Sequence, residues 1–467
     1  MRDQSFRGHV RNLEQQGEIV RFTKEADPRE NASALGWKTY DRLGKSSLFD
    51  TLKGFPGWRL ASQVVADRRK WSIALGVSPE KLIPTLVDRI RRPLDPVMVD
   101  KKDAPVKEVI LKGDDADLTK IPAMWTNERD PAPYIAAGMA IIKDPETGVR
   151  NMSIHRQQVL GPKRTGFLIC PRHALRIYQM HQKKKQAMPV AIVIGAHPAI
   201  YYAAGFTSSY GLDELRIAGA LLEDPVRLVK CETVDLEVPA DAEIVLEGEI
   251  LVDERTPEGP FGEATGNYAM EGSTEIFQLK AITHRRDPIF YGMQCGAPMT
   301  DTQSITATCV ETVLHDHLKN VEGGLDILDV RSLGIAGLMA VVIKLRPRVE
   351  GQAKTALLAT LASPYLHPKL AIAVDEDIDA SDLRQVFWSL TTRVHAERDV
   401  VKIPNTRIWS LDNVSDIVPG MSAMYRLGTK WLIDATKPAV TQGKDRARFD
   451  RAMPFNYDTV DLKEFLP

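Results

Sequence analysis

The stretch Pro257-Glu258-Gly259-Pro260-Phe261-Gly262-Glu263 constrains this chain more than any other. It cannot form an ordinary helix, because Pro260 lacks an N–H and the two glycines favour turn conformations. A rigid, partly apolar turn is expected, presenting Glu258 and Glu263 to one place. Two carboxylates held close cannot both ionise easily, so one of them can serve as a general acid near neutral pH. A solvated surface turn would look the same in composition, so what lies upstream decides between the two readings.

The chain of 467 residues is long enough for several domains with real cores. Its net charge of −1 lacks the basic excess of a nucleic-acid binder. No apolar run approaches the ~20 residues of a membrane helix, and the N-terminus has no apolar leader core. Four cysteines, Cys170, Cys231, Cys295 and Cys309, stand far apart with no CxxC pair. That pattern fits free thiols and a cytoplasmic location rather than a zinc or disulfide scaffold.

Element patterning divides the chain into 1–105, 106–310, 311–440 and a charged tail, 441–467. In the first part, Phe6, Val10 and Leu13 predict a helix that Gly17 ends, and 18–22 reads as a strand. In the second part, 139–142 and 150–159 predict a hairpin around Asp144-Pro145-Glu146-Thr147-Gly148. The strands 244–246 and 250–252 flank Glu247-Gly248-Glu249. Strands joined by short turns point to a barrel or folded sheet with helices outside. The third part alternates strand and helix: 339–345, 352–362, 370–374, then a helix capped by Ser381 with Leu383, Val386, Phe387, Leu390 and Val394 on one face. An open α/β sheet follows from that order. The tail is expected to pack on a partner subunit or fray.

Three polar positions stand out upstream of the acid turn. On a straight strand Asn151 and Arg156 would lie roughly 16 Å apart and face opposite ways unless a bulge intervenes. Pro171 suits the first turn of a helix, which puts His173 near an N-terminus able to hold an anion such as phosphate. Glu214 opens another helix. Asn, His and Glu offer mixed oxygen and nitrogen donors that suit Mn²⁺ or Mg²⁺ with phosphate oxygens completing the shell. Sequence spacing alone does not join them. Elsewhere, Lys183-Lys184-Lys185 reads as a solvated helix end, His315 and His317 diverge on a helix and read as structural, and 375–379 reads as an acidic loop.

Asn151-x-Ser153-Ile154-x-Arg156, His173, Glu214 and the acid turn, in this order and spacing, resemble the UbiD family of decarboxylases that use prenylated FMN. Supporting stretches are 229–233, 238–240, 243–248, 374–379 and 433–436, so the resemblance spans nearly the whole chain. It implies an N-terminal α/β domain, a central split β-barrel that binds the flavin, and a C-terminal α/β domain that mediates homodimers or higher oligomers. It implies that Asn151, His173 and Glu214 hold Mn²⁺ (or Mg²⁺) against the cofactor phosphate, with K⁺ nearby. Ser153, Ile154, His155, Arg156, Arg172 and His173 would line the cofactor, and Arg156, Glu258 and Glu263 would form a Glu-Arg-Glu network over the reactive ring. The implied reaction is reversible, non-oxidative decarboxylation of an aromatic, heteroaromatic or α,β-unsaturated acid through a covalent adduct with the flavin. Its products include CO₂, and it depends on a flavin prenyltransferase for the cofactor. Two departures are visible. Arg172 stands where ferulic acid decarboxylases have Gln, and Ala264 stands where they have Met, which predicts a wider pocket beside the acid. The family's phosphate-contacting Lys has no clear counterpart, and Ser363 falls near its place. The other readings are a split-barrel oxidoreductase using ordinary FMN, and a non-catalytic flavin-binding subunit.

Overall fold

The computed structural model describes residues 2–269, 272–296, 299–422, 424–457 and 459–466. Near the N-terminus, helix Phe6–Gln15 buries Phe6, Val10 and Leu13. Ser5 caps it by accepting the Gly8 N–H. Strand Ile19–Phe22 then runs parallel to Ser46–Phe49, which pairs antiparallel with Arg59–Ser62. The fourth strand of this sheet, Ile289–Tyr291, arrives from far downstream and lies parallel to Arg59–Ser62. The N-terminal sheet is therefore completed only after the chain has traversed the central one.

The central sheet has nine strands. Its path runs Tyr134–Ile135, Gln157–Val159, Arg164–Phe167, Gly272–His284, Ile244–Glu258, Met188–Ile194, Met139–Lys143, Arg150–Ile154, with Val109–Lys112 also on Gly272–His284. Among the described residues the path does not close, so it is a folded sheet rather than a complete barrel. The predicted hairpin forms, with Met139 opposite Ile154 and Lys143 opposite Arg150. It is shorter than expected. The chain leaves the ladder at His155 and Arg156, and Gln157–Val159 joins the other end of the path. The buried His155 ring forces this break: it stacks on Phe167 and bonds the Leu168 carbonyl. Gly138 permits it, because a Cβ there would lie 2.4 Å from the Gln157 amide. The predicted interruption at Glu247-Gly248-Glu249 is instead a bulge within one long strand, Ile244–Glu258. Gly248 is needed there, since a Cβ would lie 2.1 Å from the Gln278 carbonyl.

Helix Asp301–Lys319 carries the chain onward, opened by a Thr300/Gln303 capping box. It packs on helix Leu82–Ile90 and on strand Ile327–Ser332, linking the N- and C-terminal parts. The C-terminal sheet runs Ile327–Ser332, Ala340–Leu345, Leu370–Val374, Arg426–Ala435, Val400–Ile408. The inner three are parallel, as the alternating pattern predicts. The cap of helix Leu383–Thr392 is Asp382, not Ser381, because Asp382 reaches the Arg384 N–H. Its expected apolar face is only partly used: Val386 is buried, whereas Leu383 and Phe387 are exposed. The acidic loop after Val374 is structural, with Asp375 paired to Arg446. Residues 451–457 and 459–466 are all exposed. Among the described residues no helix is long and apolar enough to cross a membrane.

Burial holds four histidines neutral. It pushes His9 and His315 down to about 4, and His197 and His367 down to about 3. The folded chain thus resists protons that an unfolded His takes up near its ordinary pKa of ~6.5. Stability from these sites is complete above that value and falls as pH drops toward 4, by about 1.4 kcal/mol per His per pH unit. Buried Asp301, pushed up to about 6, and Glu214, pushed up to about 7, act in the opposite sense, but they are two groups against four. The thermal midpoint is therefore expected to fall from pH 7 to pH 4.5. A flat or rising midpoint in a scan across that range would contradict this.

Candidate active site

At one end of the cleft, strand Arg150–Ile154 meets the first turn of helix Glu214–Leu222. Asp213 fixes that turn by accepting the Leu215 N–H and pairing with Arg150. The Glu214 carboxylate is 2% exposed and accepts from Met152 N at 2.8 Å, Asn151 Nδ2 at 3.0 Å and Ser208 Oγ at 3.1 Å. None of these donors is a cation, and burial pushes Glu214 up to about 7. Asn151 Oδ1 is buried with no partner among the described residues. Asn151 and His173 line one small cavity with Tyr210 between them. The His173 ring meets Tyr210 edge-on, centroids 5.3 Å apart. Burial and the nearby cations Arg172 and Arg176 lower its pKa, favouring the neutral imidazole that can ligate a metal.

Asn151 thus bonds Glu214 on one side and shares a small cavity with His173 on the other, a proximity that spacing in the sequence did not give. A divalent cation fits that donor set and would satisfy both the Asn151 oxygen and the Glu214 charge. Among the described residues no cluster of three His, Cys, Asp or Glu forms. Helix His173–Lys183 starts two residues after Pro171, which therefore lies outside it. Its N-cap is Arg172, which makes no side-chain capping bond and leaves first-turn N–H groups open to an anion.

At the other end, strand Ile244–Glu258 stops at Glu258, and a cis Gly259–Pro260 peptide turns the chain. Phe261–Gly262 pairs with Tyr268–Ala269, and Glu263 follows. Arg156, freed from both ladders by the break at His155, reaches both acids. It forks onto Glu258, with Nε to Oε1 at 2.8 Å and Nη2 to Oε2 at 2.7 Å, while Nη1 bonds Glu263. The Phe261 ring lies 4.8 Å from the guanidinium. Burial opposes the charge on Arg156, but Glu263 and Glu258 more than offset this and raise its pKa. The repulsion expected between the two acids is therefore cancelled by the cation between them.

The remaining residues take distinct places. Ser153 Oγ bonds His155 Nε2 at 2.8 Å, and His155 Nδ1–H donates to the Leu168 carbonyl at 2.8 Å, so the His155 ring is locked in the core. Ile154 is half-buried beside it. Exposed Arg172 donates to Thr207 Oγ1 at 2.6 Å, and Thr207 N donates to Tyr365 of the C-terminal part. Ala264 does not open a wider pocket: it is buried against Ala307 and Leu338, with Trp409 packed on them. Ser363 only approaches the Tyr365 carbonyl, at 3.5 Å. Three contributors were not visible in the sequence. The Tyr134 hydroxyl lies 3.1 Å from Glu258 and from Gln158. Asp130 accepts from Asn127 N at 2.9 Å and from Gly262 N at 3.2 Å, tying the acid turn to a loop 132 residues earlier in the chain. No local pattern marks Tyr134, Gln158 or Asp130.

Three family models match the chain. They are the N-terminal domain (residues 10–90), the Rift-related domain (97–298) and the C-terminal domain (304–435) of 3-octaprenyl-4-hydroxybenzoate carboxy-lyase, UbiD. A phenolic acid decarboxylase of Bacillus subtilis is 32% identical over 94% of this chain and 93% of its own. The UbiD-class enzyme HmfF from Pelotomaculum thermopropionicum, in complex with FMN, superposes with a TM-score of 0.90 at 34% identity, covering 99% of this chain and 100% of that one. An evolved dimeric form of HmfF in complex with prFMN gives 0.87 at 33% identity, with the same coverage of both chains.

Asp130→Ala would strand two backbone N–H groups beneath the acid turn. It is expected to destabilise the fold by about 1–3 kcal/mol. Denaturant titration would read this as a lower midpoint at unchanged slope, and an unmoved midpoint would show that Asp130 does not anchor the turn.

Proposed function

Because the chain belongs to the UbiD family of carboxy-lyases, we propose that it reversibly decarboxylates an aromatic, heteroaromatic or α,β-unsaturated carboxylic acid with prenylated FMN. The observation that carries this reading is Arg156 held between Glu258 and Glu263. A carbanion at an sp² carbon lies in the ring plane without π delocalisation, and the modified flavin supplies the electron sink that side chains cannot.

The chain's own residues do the rest. Arg156 offers guanidinium N–H groups to the substrate carboxylate and orients it. Glu258 fixes Arg156 through two parallel bonds. Glu263, held by Arg156 through one oxygen only, gives its proton to the carbon that loses CO₂. In the reverse direction it would take that proton back. Asn151, His173 and Glu214 would hold Mn²⁺ (or Mg²⁺) against the flavin phosphate, beside the open first turn of helix His173–Lys183. K⁺ rests on the family resemblance alone, as does a homodimeric or larger assembly. The cofactor would come from a flavin prenyltransferase.

An oxidoreductase using ordinary FMN is the competing reading, and NAD(P)H oxidation without CO₂ release would favour it. The deciding experiment produces the chain together with a prenyl-FMN-forming prenyltransferase. It then screens aromatic and unsaturated acids for CO₂ release and for deuterium incorporation at the product carbon. Glu263→Gln is expected to keep fold and flavin absorbance yet lose about 10²–10⁴-fold in turnover. Full activity in that variant would remove Glu263 from its role. Asn151→Ala and His173→Ala are each expected to lower bound metal and flavin together, as read by metal analysis and the absorbance of purified protein. Loss of flavin with metal retained would break the link between them.

A further inference from the structure

We propose that Tyr134 is a positioning residue for the acid–base pair: its hydroxyl pins Glu258 as the fixed partner of Arg156 and leaves Glu263 as the one acid free to exchange a proton. This deepens the proposed decarboxylase reading and rests on it.

The placement follows from strand pairing. Tyr134–Ile135 runs antiparallel to Gln157–Val159, the strand that begins directly after Arg156, with Tyr134 opposite Gln158. A residue and its cross-strand partner share a face. The Tyr134 side chain thus projects beside the point where Arg156 leaves the sheet, and it is fully buried there. Its single hydroxyl hydrogen has two acceptors at 3.1 Å, Glu258 Oε1 and Gln158 Oε1. The charged acceptor forms the stronger bond. The ring also packs on Phe261, centroids 4.5 Å apart, and Phe261 in turn supports the Arg156 guanidinium. Tyr134 therefore holds Arg156 twice, through the carboxylate it forks and through the ring it rests on.

The two acids end up unequal. Glu258 is buried and takes two bonds from Arg156 and one from Tyr134. Glu263 is less buried and takes one from Arg156 and one, at 3.2 Å, from the Ala264 N–H next to it. Glu258 thus has its oxygens occupied by three donors that fix its place, whereas Glu263 is held by Arg156 through one oxygen. The proton traffic is thereby directed to Glu263.

Tyr134→Phe removes one oxygen and keeps the ring on Phe261. In the flavin-loaded enzyme, kcat should fall roughly tenfold, in line with losing one bond to a charged group. KM should change less, and the acid limb of the pH–rate profile should move to higher pH. In the apo chain, Tyr134→Phe should lower the thermal midpoint by roughly 2–4 °C, but by much less in a Glu258→Gln background, where the charged acceptor is gone. Additive midpoint losses would overturn the pinning contact. Coupled losses with an unshifted pH profile would reduce Tyr134 to a structural role and equally overturn the proposal. A loaded wild-type enzyme that releases no CO₂ would instead overturn the functional reading, while the stability cycle would still decide whether the hydroxyl holds Glu258.

Discussion

A guanidinium shared by two carboxylates organises this molecule. Arg156 is half-buried, and a buried cation is tolerated only where its charge and donors are matched. Glu258 and Glu263 supply that match. Each acid is equally dependent, since two carboxylates this close would repel without a cation between them. Removing Arg156 leaves two facing carboxylates uncompensated, and removing Glu258 leaves the guanidinium without the acid it forks, so the three side chains behave as a unit. The backbone around them follows from this requirement. The sheet must release Arg156 from both ladders, the long strand must stop at Glu258, and the next turn must bring Glu263 back within reach.

The opposite end of the cleft carries the inverse imbalance. There a buried carboxylate, Glu214, has three neutral donors and no cation, and the Asn151 oxygen has no donor among the described residues. One end already holds a cation between its acids and the other asks for positive charge. Strand Arg150–Ile154 starts the connection between them, and the break at His155 ends it. A ligand with an anionic, metal-binding tail and an uncharged reactive head matches that polarity. A ligand reversed end for end would set its anion against Glu258 and Glu263.

Much of this was legible in the residues themselves. Apolar spacing located helix Phe6–Gln15, which buries one face, and continuous apolar runs located the parallel strands Ala340–Leu345 and Leu370–Val374, which are buried on both faces. Proline and glycine marked the acid turn. The errors share a cause. The break at Arg156, the bulge at Gly248 and the missing space beside Ala264 are all imposed by distant partners: Leu168, Gln278 and Leu338. A strand pattern read over ten residues cannot register a carbonyl or methyl that arrives from elsewhere in the chain. Asp382 rather than Ser381 as a cap is a smaller error of the same kind, since both residues are good caps and only the chain's path chooses between them.

That distinction also separates the acid turn from the residues packed beside it. The groups proposed to handle the proton and the carboxylate come from a compact set of strands and turns in the central sheet. The residues packed next to Ala264 and Arg172 come from elsewhere. Leu338 and Trp409 close over Ala264, the His367 and Trp409 rings lie 4.4 Å apart, and Tyr365 holds the Thr207 loop to which Arg172 bonds. All four of these residues belong to the C-terminal part, so the surroundings of Ala264 and Arg172 depend on how that part seats against the central sheet. Buried Gln303 on helix Asp301–Lys319 is placed to set the seating, because its amide donates both to the Ala264 carbonyl at 2.7 Å and to the Gly334 carbonyl at 3.2 Å. One side chain thereby couples the residue next to the acid with the loop that precedes Leu338. The acid turn and the residues packed beside it are therefore supplied by separate parts of the chain and joined through Gln303.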